Sequence, residues 1–597
     1  MTRRLRISGH KTIAAKQQRR HRSGTLLALF GVFVLAIVTQ HHALGQTPPT
    51  PSPSQPQSSE PRWVLPPLPP LSPEQQRRLP GPRVFVNRIV VTGSTAFSND
   101  RIDAVTDPYI NREVTSEELE SLRLALTQLY VQAGYINSGA VLMDQDVRDG
   151  TIRFHIIEGE LTDVVVTENK RFRTNYLRNR LALDVTKPLH IGTLQKRLQR
   201  LQQDGRIRRL QAELRPGIRR GESELHVRVE ETLPYTLSAA FNNYQAASIG
   251  SERGQLTVGH RNLTGRGDIL SVTASKSEGS DLQLDASYIL PLNARDTTLG
   301  LRYRRNVSTV IEEPFEPLDI DSLSEIFSVT LRAPLYRTLQ REFAMSMSGE
   351  RLHSETTFIS GIGFPVLGAD DGETTITALR FTAEWVDRTS NQVLALRSRF
   401  SFGLDALGAT INPKRPDNPG TIGNESAIPP GRFAAWLGQF QLGRRLNTRQ
   451  IELLFRFDIQ LTTEPLLALE QIAVGGRFSV RGYRENQLVR DNGALVSLES
   501  RVPLIRNRRW AEYLQVVPFV DAGWGWQTRG DTPSPKNLTS VGLGLRWAAR
   551  WMPRWAFSVP LQSEFEIFWG YQLRDVTTNG GNLQDHGLHL QLAMNLF

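Results

Sequence analysis

The sequence predicts a membrane β-barrel of 16 antiparallel strands preceded by two small α+β units. Three observations lead there. A basic N-terminal region runs into a short apolar segment, two successive stretches repeat one order of elements, and period-two alternation takes over after Leu233.

The chain has 597 residues, enough for several domains, and no cysteine. Disulfides, thiolate catalysis and Cys-ligated metal sites are therefore excluded. An oxidising compartment permits disulfides without requiring them, so redox surroundings stay open. The net charge of +11 would suit a nucleic-acid binder, yet eight cations (Arg3, Arg4, Arg6, Lys11, Lys16, Arg19, Arg20, Arg22) precede residue 24, and no Asp or Glu comes before Glu60. Subtracting those 8 from 11 leaves about +3, and no nucleic-acid partner is expected.

Thr25 to Val38 is apolar, and Ala43-Leu44-Gly45 places small residues at both specificity positions before Gln46. Together with the basic region this reads as a secretory signal peptide over residues 1–45. A membrane anchor would need about 20 apolar residues, more than this run supplies. Residues 46–83 are rich in Pro, Ser and Gln, including Pro66-Pro67-Leu68-Pro69-Pro70, and read as an extended linker. Within it, Ser72-Pro73-Glu74 to Leu79 is either a short capped helix or plain linker.

An internal repeat follows, as units 84–160 and 161–232. The first opens with a strand from Val84 to Val91 and a turn at Gly93. A helix with Leu119, Leu122, Leu126 and Leu129 on one face leads to Gly134-Tyr135-Ile136. Strands around Ser138 to Met143 and Thr151 to Ile157 close it. The second repeats the order with Val164 to Thr167, a helix carrying Leu194, Leu198 and Leu201, Gly205-Arg206-Ile207, and strands at Leu210 to Leu214 and Glu224 to Val229. Glu158-Gly159-Glu160 is echoed by Glu230-Glu231.

From 233 to 597, sixteen alternating segments start near residues 235, 253, 267, 281, 296, 324, 338, 376, 393, 432, 449, 493, 513, 538, 557 and 588. In the fourth, Leu282, Leu284, Ala286 and Tyr288 oppose Asp281, Gln283, Asp285 and Ser287; in the fourteenth, Leu543, Leu545 and Trp547 oppose Gly542, Gly544 and Arg546. Connectors after even strands are short, such as Asn262 to Arg266 and Leu292 to Arg295. Those after odd strands are often long: 307–323, 351–375, 405–431 and 462–492. Short turns on one rim and long loops on the other mark an outer-membrane barrel. Closure follows, because unpaired backbone groups in hydrocarbon cost several kcal/mol each.

Chemistry for an enzyme is missing from the sequence. There is no Gly-Lys dipeptide for a P-loop, no His-Glu-x-x-His and no Gly-x-Ser-x-Gly. His586 and His589, three apart on a strand, point to opposite faces and make poor joint ligands. No metal, cofactor or catalytic residue is expected. Arg266-Gly267-Asp268 reads as a hairpin turn on the short-turn rim.

The stretch Gly475-Gly476-Arg477-Phe478-Ser479-Val480-Arg481-Gly482-Tyr483-Arg484-Glu485 resembles the loop of the two-partner secretion transporters, the TpsB family. There, a Val-Arg-Gly-(Tyr or Phe) tip folds back into the barrel, and the matching residues here are Val480, Arg481, Gly482 and Tyr483. The stretch falls in the sixth long loop, between strands eleven and twelve, as in that family. The two repeats look like POTRA domains, and the resemblance covers essentially the whole chain beyond the signal peptide. On strand thirteen, Leu514, Val516, Val520 and Ala522 oppose Gln515, Phe519 and Asp521, which turns Asp521 inward if the first face meets lipid. Asp521-Ala522-Gly523 also resembles the family's Asp-x-Gly motif, whose acid pairs with the loop arginine. Glu499 is a second lumen acid, and Glu564 and Glu566 are weaker candidates; otherwise Arg481 is a solvated loop residue.

The resemblance implies an outer-membrane transporter that captures a partly unfolded exoprotein, of adhesin or cytolysin type, in the periplasm and moves it to the cell surface or medium. Its POTRA domains would stand in the periplasm. The candidate substrate edge is Ser138, Gly139, Ala140, Val141, Leu142 and Met143, unless that strand merely completes its own sheet. Outer-membrane lipid and, during biogenesis, the barrel-assembly machinery are the other expected partners of a monomeric chain. The alternative is an outer-membrane assembly factor that inserts other barrels; a solute porin and a soluble periplasmic enzyme fit less well. Two departures stand out. Phe597 is out of phase with the Leu588, Leu590, Leu592, Met594, Leu596 face, and Arg490 precedes Asp491 where a Gly-Asp pair is expected.

Overall fold

The computed structural model describes residues 83–596, except 360, 414–426, 447–449, 553–559, 577, 579 and 580. The expected signal peptide, the linker up to residue 82 with its possible helix, and Phe597 lie outside the described residues.

The first periplasmic-side unit packs the helices Asn99–Thr106 and Ser116–Gln132 on a three-stranded sheet of Arg88–Thr92, Thr151–Ile157 and Gly139–Leu142. Thr115 starts the longer helix with a capping box: its side chain accepts from the Glu118 N–H, and the Glu118 carboxylate accepts from the Thr115 N–H at 2.8 Å. Leu119, Leu122, Leu126 and Tyr130 then fall on one face and close over Ile152, Phe154 and Ile156. The expected strand from Val84 to Val91 is two strands. Asn87 N–H turns to the Gly150 carbonyl at 2.8 Å, and this breaks the run. Arg83–Val86 pairs instead with Arg112–Thr115.

The second unit repeats the plan with the sheet order Glu160–Thr167, Glu222–Glu231, Ile207–Pro216 and the helices Thr174–Leu181 and Ile191–Gln202. The acidic echo in the sequence has a common structural use. Glu158 accepts from the N–H groups of Thr95 and Ala96, at 2.6 and 2.9 Å. Glu231 accepts from those of Lys170, Arg171 and Phe172 at 2.8 to 3.0 Å. Each carboxylate at the end of its unit pins the loop that leaves the first strand.

Burial alone would raise the Glu158 carboxyl, but donors from Thr95, Ala96 and Tyr130 outweigh it and hold the group below its ordinary range. The same burial, with Glu158 alongside, pushes Tyr130 up to about 12.

Sixteen antiparallel staves close into one barrel, which begin at Tyr235, Arg253, Ile269, Gln283, Thr298, Asp321, Arg341, Glu373, Gln392, Ala434, Ile451, Asn492, Ala511, Asn537, Leu561 and Leu588. A two-residue piece, Ile362–Gly363, adds to the long loop side. No start differs from its expected position by more than four residues, the largest gap being 557 against Leu561. The first three staves have eight residues each, whereas six later ones outrun the alternating pattern, up to 18 residues in Arg341–Phe358. Pairing continues past the alternating core, so two long connectors shrink to 310–320 and 359–372.

The barrel's outer face is apolar. Phe327, Val329 and Leu331 are exposed on one stave, and Met345 and Met347 on the next. Inward residues pair with each other across staves. Asp285 takes Arg302 at 2.5 Å and Arg304 at 3.1 Å. Arg380 takes Glu350 of the neighbouring stave at 2.7 Å and Glu470 of the loop between Ile451–Thr462 and Asn492–Arg508 at 2.5 Å. No described helix is long and apolar enough to cross a membrane.

Two joints finish the architecture. The seam between last and first staves is a six-residue register, Gln591↔Asn242 to Leu596↔Leu237. Asn243 lengthens it: its backbone N–H reaches the Leu590 carbonyl, its side-chain amide donates to the Leu588 carbonyl at 2.9 Å, and its Oδ1 accepts from Leu590 N–H at 2.8 Å.

The other joint seats the second unit on the short-turn rim. Arg206 donates to the Gly267 carbonyl, and Arg173 to the Thr264 carbonyl at 2.8 Å. Asp296, on the turn between two staves, holds Arg180 at 2.6 Å, Arg337 at 2.7 Å and Arg200 at 3.5 Å. The Arg266-Gly267-Asp268 turn is thus the seat of the arm, with Asp268 tied by Thr264 and Tyr288.

Candidate functional site

The loop between the staves Ile451–Thr462 and Asn492–Arg508 enters the barrel. Its two arms, Ile472–Val474 and Leu488–Arg490, pair antiparallel and form a stem. Asp491 anchors that stem. Its carboxylate accepts from Leu466 N–H, Thr528 N–H and the Gln471 side chain, each at 2.9 Å. A buried anchor at the loop base works with Arg490 before it, so the missing glycine leaves this capping role intact.

At the tip, Val480 and Tyr483 are fully buried with Val474, Leu488, Leu495 and Leu538 in a small apolar cluster. This packing aims the intervening residue at the wall. Arg481 Nε and Nη2 form a fork onto Asp521, at 2.7 and 2.8 Å, and the Arg481 backbone N–H reaches the same carboxylate at 3.1 Å. Nη1 donates to Glu499 at 2.7 Å and Nη2 to Ser497 at 3.1 Å. The guanidinium lies over the Phe519 ring, 3.7 Å from its centroid. Arg481 is 2% exposed, Asp521 0% and Glu499 9%, so the cluster is dry. Glu499 is shared with Arg501 at 2.8 Å. A buried charge is tolerable only when paired and hydrogen-bonded, and a planar fork on a carboxylate meets that condition.

Gly482 takes φ +95°, and a Cβ there would lie 2.7 Å from the Gly570 carbonyl oxygen of the wall. Its N–H donates to His589 Nε2 at 3.2 Å, and its carbonyl accepts from Gln572 at 2.7 Å. The Tyr483 hydroxyl lies 2.9 Å from the carbonyl oxygens of both Thr539 and Arg574, which share its one proton. Gly523, third residue of the Asp-x-Gly triplet, clears the loop itself: a Cβ there would fall 2.5 Å from Val474 and 2.9 Å from Val480.

Glu566, a weaker candidate acid in the sequence, and the loop residues Arg477 and Arg484 find partners that no local pattern named. Arg477 donates to Glu566 at 3.0 Å, and Tyr244 donates to the same oxygen at 3.1 Å. Arg484 bridges Asp585 and Glu312, the latter at 2.7 Å. Glu566 therefore serves Arg477, while Glu564 accepts from Gln562 at 2.7 Å. His589, Gln572 and Gly570 are far from the loop in sequence, and only closure of the barrel brings them to it.

The candidate edge lies elsewhere. Gly139–Leu142 is the outermost strand of its sheet, paired on one side with Thr151–Ile157. Ser138 and Met143 fall just outside the strand; Ser138 Oγ accepts from Gly159 N–H at 2.9 Å. Leu142 and Met143 are exposed.

Comparison with known proteins places this geometry. Residues 84–159 match the POTRA domain, ShlB-type. The chain is 24% identical over 487 residues to the outer membrane transporter CdiB of Escherichia coli O6:K15:H31, spanning 79% of this chain and 78% of that protein. It is 22% identical over 484 residues to the hemolysin transporter protein ShlB of Serratia marcescens, spanning 78% of this chain and 81% of the other.

Among solved structures, CdiB from Escherichia coli superposes with a TM-score of 0.59 at 20% identity, covering 89% of this chain and 93% of that one. BamA from Haemophilus ducreyi lacking POTRA domains 1–3 shares the fold at a TM-score of 0.50 and 11% identity, covering 85% and 99%. Residues 221–547, more than half of the chain, match the family described as haemolysin secretion/activation protein ShlB/FhaC/HecB, and the chain belongs to that family.

Proposed function

We infer that the chain is the outer-membrane transporter of a two-partner secretion pair, which takes a partly unfolded exoprotein from the periplasm through the barrel to the cell surface. The observation that carries this is the loop locked to the inner wall by Arg481, Asp521 and Glu499. An inward loop held by a dry, fully paired charge cluster lies along the path a polypeptide must take, and a rigid cluster of this kind is suited to set the lumen's shape. The role of Val480, Arg481, Gly482 and Tyr483 as a transport element is part of this proposal.

The first unit is the receiving domain, and the outer side of Gly139–Leu142 is the edge where an extended segment adds as a further strand, displacing the hydrogen bonds that Ala140 makes there with Thr127 and Arg123. Residues 84–160 and 161–232 act as separate POTRA domains on a barrel of 233–597. The chain works as a conduit with no catalytic step of its own, and the exported partner is of adhesin or cytolysin type. The splint at Asn243 favours passage through the lumen over opening between the first and last staves.

The test is export of the large exoprotein encoded nearest to this gene, in a host expressing both, with the full chain and with a chain lacking 84–232. Exoprotein in the medium only with the full chain supports the reading. Undiminished export on deletion, with other outer-membrane proteins depleted, would point to an assembly factor instead.

A further inference from the structure

The periplasmic arm is electrically divided. Residues 84–160 carry twelve Asp and Glu against six Arg, an acidic excess of six, whereas residues 161–232 carry nine against sixteen Lys and Arg, a basic excess of seven. Part of that basic excess is spent on the barrel, through Arg173, Arg180, Arg200 and Arg206. Much of the rest clusters on one feature. Arg208 and Arg209 are exposed near the start of Ile207–Pro216, and Arg219 and Arg220 are exposed on the tip that follows it. Just before them on that tip, Ile218 is 96% exposed.

Ile207–Pro216 is also an edge. Among the described residues it pairs as a strand only with Glu222–Glu231, which leaves its other side open over ten residues. That is the longest open edge of the two units' three-stranded sheets, against four residues in Gly139–Leu142. One end abuts the barrel rim, because Arg206 holds the Gly267 carbonyl. The other reaches the junction of the two units, where Gly221 accepts from Asn137. The open edge thus runs from the receiving unit to the barrel mouth, a span of about 30 Å for an extended strand.

We propose that this edge docks an extended, acidic stretch of the exoprotein, added as a strand, with Arg208 and Arg209 meeting carboxylates at the barrel end and Ile218, Arg219 and Arg220 at the far end. The proposal rests on the transporter reading above and names the chemistry of its cargo. Charge complementarity selects the occupant. The edge of the first unit receives another part of the exoprotein; a carboxylate-bearing stretch is drawn instead to the second unit, so the field of the arm moves it toward the pore. Arg208 sits on a bulge in the register, which leaves its backbone free of the neighbouring strand. An anionic lipid surface fits less well, because Arg219 and Arg220 stand at the end of the strand remote from the barrel.

The test uses the full-length transporter in nanodiscs of zwitterionic lipid. The probes are three labelled peptides: alternating Val and Glu, alternating Val and Lys, and the Glu peptide N-methylated at alternate residues. The Glu peptide should bind about tenfold more tightly than the Lys peptide and weaken as salt rises. The pair Arg208→Glu, Arg209→Glu should cut its binding by about tenfold, and the milder Arg208→Gln, Arg209→Gln should give an intermediate loss. N-methylation should abolish binding.

Equal binding of the Glu and Lys peptides, an unchanged charge-reversed variant, or full binding by the N-methylated peptide would overturn the proposal. So would binding of anionic vesicles in place of peptide. A wild-type chain that exports no exoprotein defeats the transporter reading. Normal export by both wild type and the charge-reversed variant defeats only the docking edge.

Discussion

Arg481 and Asp521 lie 40 positions apart in the chain and 2.7 Å apart inside the barrel, with the arginine donating both from its side chain and from its backbone. The contact ties a loop tip to a transmembrane stave. Each partner is buried, so neither can fall back on water if the other is lost.

Arg481→Ala should abolish export or reduce it sharply while the barrel still inserts and shows heat-modifiable migration. The cut strands Asp521 in a dry site, a loss of about 3–5 kcal/mol for a buried pair. Asp521→Ala should match it, and the double variant should be little worse than either single one. Normal export from Arg481→Ala would remove the loop from the mechanism.

Gly482→Ala should displace the tip without touching any charge. The added methyl would meet the Gly570 carbonyl oxygen at 2.7 Å, at a backbone angle of +95° that alanine resists. Export should fall by about as much as with Arg481→Ala, read as exoprotein in the medium. Full export from Gly482→Ala would show that the wall can yield.

Asp296→Ala should loosen the arm from the barrel. Three arginines, Arg180, Arg200 and Arg337, share that carboxylate within 3.5 Å. Its removal forfeits charged hydrogen bonds of about 1.5–3 kcal/mol each before mutual repulsion is counted. Spin labels on the second unit and the barrel rim should report a broadened distance distribution. An unchanged distribution would mean that the remaining contacts, of Arg206, Arg173, Arg180 with the Asn293 carbonyl and Asp184 with Arg295, suffice to hold the arm.

Glu158 makes the first unit sensitive to acid. Burial opposes its charge, but the hydrogen bonds from Thr95, Ala96 and Tyr130 hold its folded value below the reference 4.5. A depressed carboxyl stabilises above the unfolded value and loses that contribution as pH falls through the folded one. Urea unfolding of the arm, followed by limited proteolysis, should therefore shift to lower urea below about pH 4.5. Glu158→Gln should lower the midpoint at neutral pH by the equivalent of about 1–3 kcal/mol and flatten the acid limb. Identical acid limbs in both proteins would assign the sensitivity to another carboxyl.

Much of the barrel was legible because a stave between lipid and lumen must alternate, and Leu543, Leu545 and Trp547 do so against Gly542, Gly544 and Arg546. Asp521 was legible for the same reason: Val520 and Ala522 had to face out. Asn87 was not, since its break in the first strand comes from a hydrogen bond to Gly150 that no local pattern encodes. Stave ends beyond the membrane were also hidden, because pairing there follows the partner strand and not the apolar period.

The sequence by itself determined the order of parts, the inward face of each stave and the loop tip that would need a carboxylate. These are local consequences of side-chain period and of the cost of unpaired groups in lipid. Only the tertiary structure decided which groups meet: His589 and Gln572 on Gly482, Glu566 on Arg477, Asp491 beneath the stem, Asp296 under the arm. Those pairings depend on barrel closure and stagger, which bring staves distant in sequence to the same depth.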